Sequence, residues 1–138
     1  MADEATVEYY LQDEVIPLPV DETANIAKGT LLRLKAGKVV AMGTSDDKNF
    51  VGIAMNEKKS GDGRTVISVA KPVIGEYATT AAAVASGAYV VTGGAANKVK
   101  ALAANTALTS DNIGTIVGQA IGSVGGSGGR LRVIRRVI

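Results

Sequence analysis

The feature that most constrains this chain is an internal repeat, in which the second half echoes the first half in the same order. Five short matches carry the repeat, beginning with Ile26–Leu32 against Val84–Val90 and ending with Gly63–Ile67 against Gly129–Val133. The offset between matching residues grows only from 58 to 66, which is hard to obtain by chance even in a chain rich in Gly, Ala and Val. The pattern indicates an internal duplication.

Each duplicated segment, residues 26–75 and 84–138, predicts a run of short strands separated by turn residues. Apolar residues make up 46% of the chain but aromatic residues only 4%, so the core must consist of Val, Ile, Leu and Ala, a composition that favours strands. Residues 79–86 allow either a short helical turn or a loop. We expect an all-β fold, a small β-barrel or sandwich-like body made from the two units, with strands at Thr30–Leu34, Lys38–Met42, Val51–Met55, Thr65–Ala70, Ala88–Thr92, Lys98–Ala101, Thr115–Ile121 and Arg130–Ile138.

The chain contains no Cys and no His. Thiolate and imidazole nucleophiles, the usual general base near neutral pH, and most zinc, copper and haem ligand sets are therefore excluded. We expect no catalytic residue, no cofactor and no metal. No apolar run approaches the roughly 20 residues that span a bilayer, and the N-terminus is acidic where a signal peptide is basic, so we expect a soluble, untargeted protein that does not bind membranes.

Charge is divided unevenly along the chain. Residues 1–24 carry seven acidic residues and no Lys or Arg, whereas residues 25–138 carry 15 basic and six acidic residues. We interpret residues 1–24 as an extended acidic N-terminal arm and residues 25–138 as a β-rich body. The arm either keeps a basic body in solution or pairs with a basic surface on its own body or on a neighbouring subunit.

Apolar and polar residues alternate within this arm, as in a strand with one buried side. Pro17 and Pro19 then hold the chain extended, and a stretched arm reaches on the order of 80 Å at about 3.3 Å per residue, far enough to touch another subunit. A strand added to a neighbour gains main-chain hydrogen bonds, and its alternate side chains fill pockets. The residues expected at this protein interface are Val7, Glu8, Tyr9, Leu11, Glu14 and Val15.

The last predicted strand concentrates arginine, with Arg130, Arg132, Arg135 and Arg136 within seven positions. This cluster is either a solvated strand face or a rim that binds acidic groups, because Arg can grip a carboxylate with two parallel hydrogen bonds. No aromatic stacking platform accompanies the cluster, and the arm is acidic. Nucleic acid is therefore not expected as a partner.

Two further motifs have structural explanations. The tract Gly122–Arg130 lacks the Lys-Ser/Thr pair of a phosphate loop and precedes a strand, so we interpret it as a hairpin turn. The carboxylates of Asp46, Asp47, Asp62 and Asp111 lack the dense spacing of a calcium loop and have no companion base. We expect Asp46, Asp47 and Asp111 to make turns that close the loop before the next strand.

The segment from Val51–Met55 to Gly63–Val66, repeated with variation in the second half, resembles small capsid decoration (cement) proteins of tailed bacterial viruses. The resemblance covers roughly residues 26–138 and names no catalytic residue. It implies a homotrimer on the outer capsid surface of a virion, assembled in the host cytoplasm, which binds the major capsid protein of an HK97-like shell and reinforces contacts between capsid subunits. It also implies an N-terminal arm that adds a strand to a neighbour or to the shell.

Two other classes of function compete with this interpretation. A small β-barrel that binds a ligand or a nucleic acid is disfavoured because only four Tyr and one Phe are present to line a pocket. An enzyme is disfavoured by the absence of Cys and His. If the arm carries the attachment, we expect the free arm to be disordered until it docks, and a chain without residues 1–20 to fold but to attach less tightly.

Overall fold

The structure is a computed structural model, and it describes residues 3–10, 14–42, 49–80, 82–93, 96–102 and 115–135. Eleven β-strands and no α-helix occur in these residues, which confirms the predicted all-β fold. The strands are β1 (Thr6–Tyr9), β2 (Ile16–Pro19), β3 (Leu31–Lys35), β4 (Lys38–Ala41), β5 (Phe50–Ala54), β6 (Val66–Ala70), β7 (Ile74–Thr79), β8 (Tyr89–Thr92), β9 (Lys98–Ala101), β10 (Ile116–Ala120) and β11 (Arg130–Ile134).

The second half of the chain, β7 to β11, forms a closed five-stranded barrel that we call unit 2. Its strand order is β7-β11-β10-β8-β9, and β9 returns to pair in parallel with β7 at Ala78↔Lys98. The remaining part of the same β7 edge pairs with β1, beginning at Thr6↔Glu76. Strand β7 is therefore shared between the barrel and the N-terminal segment.

The first half, β2 to β6, forms a five-stranded sheet that we call unit 1, with the order β2-β6-β5-β3-β4. This order matches that of unit 2 strand for strand. The two end strands of unit 1 meet only at a single parallel bridge, Val20↔Val39. The corresponding residues of unit 2, Thr79 and Val99, belong to the parallel β7–β9 pairing, so unit 1 is an incompletely closed version of unit 2.

Two prolines explain why unit 1 does not close. The Val20 N–H donates to the Thr65 carbonyl at 2.9 Å, so alternate N–H groups along β2 point toward β6 and the others point away. Pro17 and Pro19 occupy the positions that point away, and Pro19, next to the Val20↔Val39 bridge, supplies no N–H donor to β4. In unit 2 the residue equivalent to Pro19 is Ala78, which pairs with β9. Proline therefore blocks the hydrogen bonds that would complete unit 1.

Each unit contains the same bulge next to a glycine with no room for a side chain. The β3–β5 register shifts at Leu32↔Gly52, and the β8–β10 register shifts at Val90↔Gly118. A Cβ on Gly52 would lie 2.6 Å from the carbonyl oxygen of Ala70, and a Cβ on Gly118 would meet the equivalent carbonyl of Ile134. Glycine at this position lets the neighbouring strand approach closely.

The buried apolar residues form two clusters. One fills the interior of unit 1 and includes Leu32, Val39 and Ile67. The other fills unit 2 and also contains Leu31 and Ile53, which lie on the outer side of unit 1 because strand residues alternate between faces. The two units are therefore packed together through the outer face of unit 1.

The structure differs from the sequence interpretation in three places. Strand β2, which the sequence assigned to the arm, is the first strand of unit 1, and β7 was not expected. The described residues of 79–86 form the end of β7 and a loop rather than a helical turn. The last repeat match is two residues out of register, because strand pairing aligns Val66 with Arg130. The cause is the loop before β11, which is two residues shorter than the loop before β6.

Candidate protein-binding surface

The N-terminal segment lies on the chain's own body. Strand β1 pairs antiparallel with β7, and the Ala5 N–H donates to the Gly29 carbonyl at 2.9 Å. Val7 is half-buried against the core of unit 2, while Val15 is half-buried just before β2. The segment therefore adds a strand to unit 2, and its addition to a neighbouring subunit stays a prediction.

Arg130 is the best-connected residue of this surface. Its guanidinium donates to Glu76 Oε1 at 3.0 Å, to the Glu4 carbonyl at 2.9 Å and to Thr6 Oγ1 at 3.1 Å. It therefore joins β11, β7 and the N-terminal segment. Its side chain is 33% exposed, so these bonds form at the edge of solvent.

The other described arginines of the predicted rim contact the predicted acidic residues of the arm. Arg132 Nε donates to Glu8 Oε2 at 3.0 Å. Arg135 donates to both carboxylate oxygens of Glu14, a bidentate pair. The sequence singled out the acidic and the basic residues separately, and the structure brings them together. Tyr9 pairs with Ile74 through the β1–β7 backbone register, whereas its side chain, Leu11 and Arg136 lie outside the described residues.

The Arg132–Glu8 pair, which joins β11 to β1, is partly exposed and therefore weak. The side chain of Arg132 is 50% exposed and that of Glu8 is 30% exposed. Pairs of this kind contribute about 0–1 kcal/mol each, and salt screens them. Strand β1 pairs with β7 along one edge only, whereas each central strand of either unit pairs along both edges, so the attachment of β1 costs less to break.

A pocket of about 420 Å³ lies between this segment and unit 1. Its lining is contributed partly by the arm, through Val7 and Tyr10, and partly by unit 1, through Lys28 and Met55. Tyr10 is 43% exposed. Release of β1 would open this pocket, because the arm forms one of its walls.

A buried lysine in unit 1 was not anticipated from the sequence. Lys58 has a relative exposure of 1%, and its ammonium group donates to the carbonyls of Glu22 and Lys59 at 2.7 and 2.8 Å. It also pairs with Asp62 at 2.9 Å, and this hydrogen bond, together with the Arg64 N–H, holds the pKa of Asp62 well below its ordinary value. This network shapes the loop before β6. The repeat carries the one signal for this burial, since at the offset of 66 Lys58 matches the apolar Val124 whereas Lys59 matches Gly125.

A second lysine, Lys71, lies where the two units meet. Its ammonium group donates to the Ile116 carbonyl at 3.2 Å and lies 5.6 Å from the centre of the Phe50 ring. Burial, followed by the nearby charge of Arg135, lowers its pKa. Lys71 therefore helps to fix the contact between the units.

The remaining motifs add no chemistry to this surface. Gly122–Gly129 connects β10 to β11 as a hairpin, whereas Asp46, Asp47 and Asp111 lie outside the described residues. Within the described part of the chain, no group of three or more acidic residues could hold a metal ion, and no helix is long and apolar enough to cross a membrane. No known protein family, curated protein or solved structure matches this chain.

Proposed function

We propose that this protein is a non-catalytic structural component of a virion, which binds the outside of an HK97-like capsid shell as a homotrimer and reinforces contacts between capsid subunits. The resemblance of the repeated segments to capsid decoration proteins suggests this class. The observation that carries the proposal is the edge position of β1, which pairs with β7 alone and whose Glu8 is held by the partly exposed Arg132. A segment of this kind can leave one sheet edge and pair with another.

The mechanism exchanges one set of partners for another. In the free protein, Arg132 and Arg135 hold Glu8 and Glu14, and β1 covers part of the edge of β7. On a shell, the same acidic strand pairs with an edge of the major capsid protein, while the vacated arginines bind acidic groups there. The exchange starts from an arm that is already paired along part of its length. Docking on a shell therefore costs less conformational entropy than it would for a disordered tail.

The structure changes the deletion that tests this mechanism. A chain without residues 1–20 would lose β2 and Val20, which is 2% exposed in the core of unit 1, so loss of binding would be confused with loss of folding. Deletion of residues 1–10 removes β1 and leaves all the strands of both units. Binding should be measured by co-sedimentation with empty shells assembled from an HK97-like major capsid protein.

We expect the full chain to co-sediment with shells and the chain without residues 1–10 to bind at least tenfold more weakly, with an unchanged far-ultraviolet circular dichroism spectrum of the body. A charge-reversed Glu8→Arg variant should bind with intermediate affinity. Equal binding of the deleted and full-length chains would show that the arm takes no part in attachment. Failure of the full-length chain to bind at all would remove the proposed function.

A second candidate, a small β-barrel module for a ligand or a nucleic acid, is favoured by one observation. The pocket beneath β1, about 420 Å³, falls within the size range of small-molecule sites. Among the described residues, its lining offers one aromatic side chain, Tyr10, and one of its walls is the arm. Titration of the full chain with single-stranded oligonucleotides and with a fragment library, followed by NMR, separates this candidate from the first.

A further inference from the structure

The two units do not contact each other through equivalent surfaces. Unit 1 uses its outer face, defined by Leu31, Met42 and Ile53, all of which are at most 6% exposed and lie in the core cluster of unit 2. The contact is fixed at one edge by the Leu31 N–H, which donates to Asn97 Oδ1 at 3.0 Å. Asn97 lies in the turn between β8 and β9, so the hairpin of unit 2 meets the outer face of unit 1.

In the part of the chain that the structure describes, the equivalent outer face of unit 2 is only partly covered. Strand pairing and backbone hydrogen bonds identify Tyr89, Leu102 and Gln119 as the counterparts of Leu31, Met42 and Ile53. Tyr89 is 40% exposed, and Leu102 and Gln119 are half-buried. Ile121 lies farther along the same side and is 39% exposed. Unit 2 thus exposes apolar side chains on the face that unit 1 buries.

The complementary surface is open on unit 1. The residue of the unit 2 hairpin that corresponds to Leu34 is Thr92, since Leu34 and Thr92 make equivalent backbone bonds to Asn49 and Thr115. Thr92 is 3% exposed, whereas Leu34 is 41% exposed. An apolar side chain is therefore exposed near the tip of the β3–β4 hairpin of unit 1.

We propose that these two open surfaces bind each other between copies of this chain. The β3–β4 hairpin of unit 1, through Leu34, docks on the outer face of unit 2 of the next copy, through Tyr89, Leu102 and Ile121. The contact repeats between chains the arrangement that the two units adopt within one chain. It is head to tail, so it generates a ring or a filament rather than a two-fold dimer. A ring of three chains, the oligomer proposed above, contains six units.

This inference does not depend on capsid binding, and the test uses the full chain in solution. Tyr89→Arg damages the outer face of unit 2, and Leu34→Arg damages the hairpin of unit 1. Val66→Arg is the matched control, because Val66 is 47% exposed and unit 2 carries Arg130 at the equivalent position. Masses should be measured by light scattering coupled to size-exclusion chromatography, and folding by circular dichroism.

We expect the wild-type chain and the Val66→Arg chain to form the same oligomer, and each of the other two variants to be a folded monomer. An equimolar mixture of those two variants should form a species of two chains and nothing larger. The intact hairpin of the Tyr89→Arg chain can dock on the intact outer face of the Leu34→Arg chain, whereas the reverse contact is damaged on both sides. A monomeric wild-type chain, oligomers that survive either substitution, or a mixture that remains monomeric would overturn the inference. A chain that oligomerises in this way but binds no shell removes the proposed function and leaves this inference standing.

Discussion

Units 1 and 2 share a backbone plan but differ in how each is completed. Both have the same strand order and the same bulge glycine. Both also place a glycine with positive φ before the first strand of the β3–β4 or β8–β9 hairpin, Gly29 at 90° and Gly87 at 88°. Unit 2 closes through β7 and β9, whereas unit 1 is blocked by prolines. A few backbone positions therefore define the repeated plan, and side chains elsewhere make the units different.

The loop before the last strand shows this contrast most clearly. In unit 1, Lys58 forms a backbone bridge with Ile26, and its buried ammonium group organises the loop. In unit 2, Val124 forms the equivalent bridge with Val84, and the loop that follows contains Gly125, Gly126, Gly128 and Gly129. One loop is held by side-chain hydrogen bonds and the other turns by means of glycine. Loss of a single side chain from this loop should therefore destabilise unit 1 more than unit 2.

The largest effect is expected at the bulge glycine that both units share. Gly52→Ala and Gly118→Ala should each lower the free energy of unfolding by about 3 kcal/mol, because the added Cβ would meet the backbone of the adjacent strand. Gly87→Ala is the control, since its Cβ would meet nothing within 4 Å and only the left-handed backbone is strained, which costs about 1–2 kcal/mol. Urea unfolding measures all three, and equal values would contradict the close-packing explanation.

The next largest effect is expected in the loop of unit 1. Lys58→Ala should lower the free energy of unfolding by about 2 kcal/mol, because the carbonyls of Glu22 and Lys59 each keep only a backbone donor and Asp62 loses its closest cation. Lys59→Ala should change it by less than about 0.5 kcal/mol, because that side chain is 74% exposed. Urea unfolding of the two variants tests the contrast, and equal destabilisation would mean that the buried network is not what stabilises the loop.

A smaller effect concerns pH in the same loop. The folded pKa of Asp62 lies below its ordinary value of 3.8, chiefly because Lys58 hydrogen-bonds to the carboxylate. The carboxylate therefore stabilises the fold fully above pH 3.8, and this stability is lost as the pH falls through the lower, folded pKa. The stability difference between the wild-type chain and Asp62→Asn should shrink on acidification. A difference that is constant from neutral pH to pH 2 would exclude this linkage.

The smallest effect on stability is expected where the units differ in closure. Replacing Pro17 and Pro19 together by valine supplies two N–H donors, of which the one at position 19 points toward β4, since its equivalent Ala78 pairs with β9. Each new hydrogen bond contributes about 0.5–1.5 kcal/mol, and this is offset by about 0.4–1 kcal/mol per proline because the unfolded chain becomes more flexible. Hydrogen exchange is therefore the better measurement. A protected amide at residue 19 is expected, and rapid exchange there would show that proline does not keep unit 1 open.

The sequence determined the class of fold because its signals are local. Alternation, branched aliphatic residues and glycine turns predicted eight strands close to β3–β6 and β8–β11, with ends that differ by a few residues. The charges of the arm and of the arginine cluster could also be identified from the sequence. What composition could not supply was the partner of each group, so Glu8 and Arg132 were identified as binding residues without being identified as each other's partner.

Tertiary structure decided the features that depend on distant neighbours. The pairing of β1 with β7, the inclusion of β2 in unit 1 and the burial of Lys58 each require segments that are far apart in the chain to meet. The exposure of Tyr89 and the burial of Leu31, at equivalent positions, depend only on whether another unit covers the strand. A repeat in sequence defines equivalent backbone positions, whereas packing of one unit on the other removes their equivalence, because only one unit has its outer face covered within the chain.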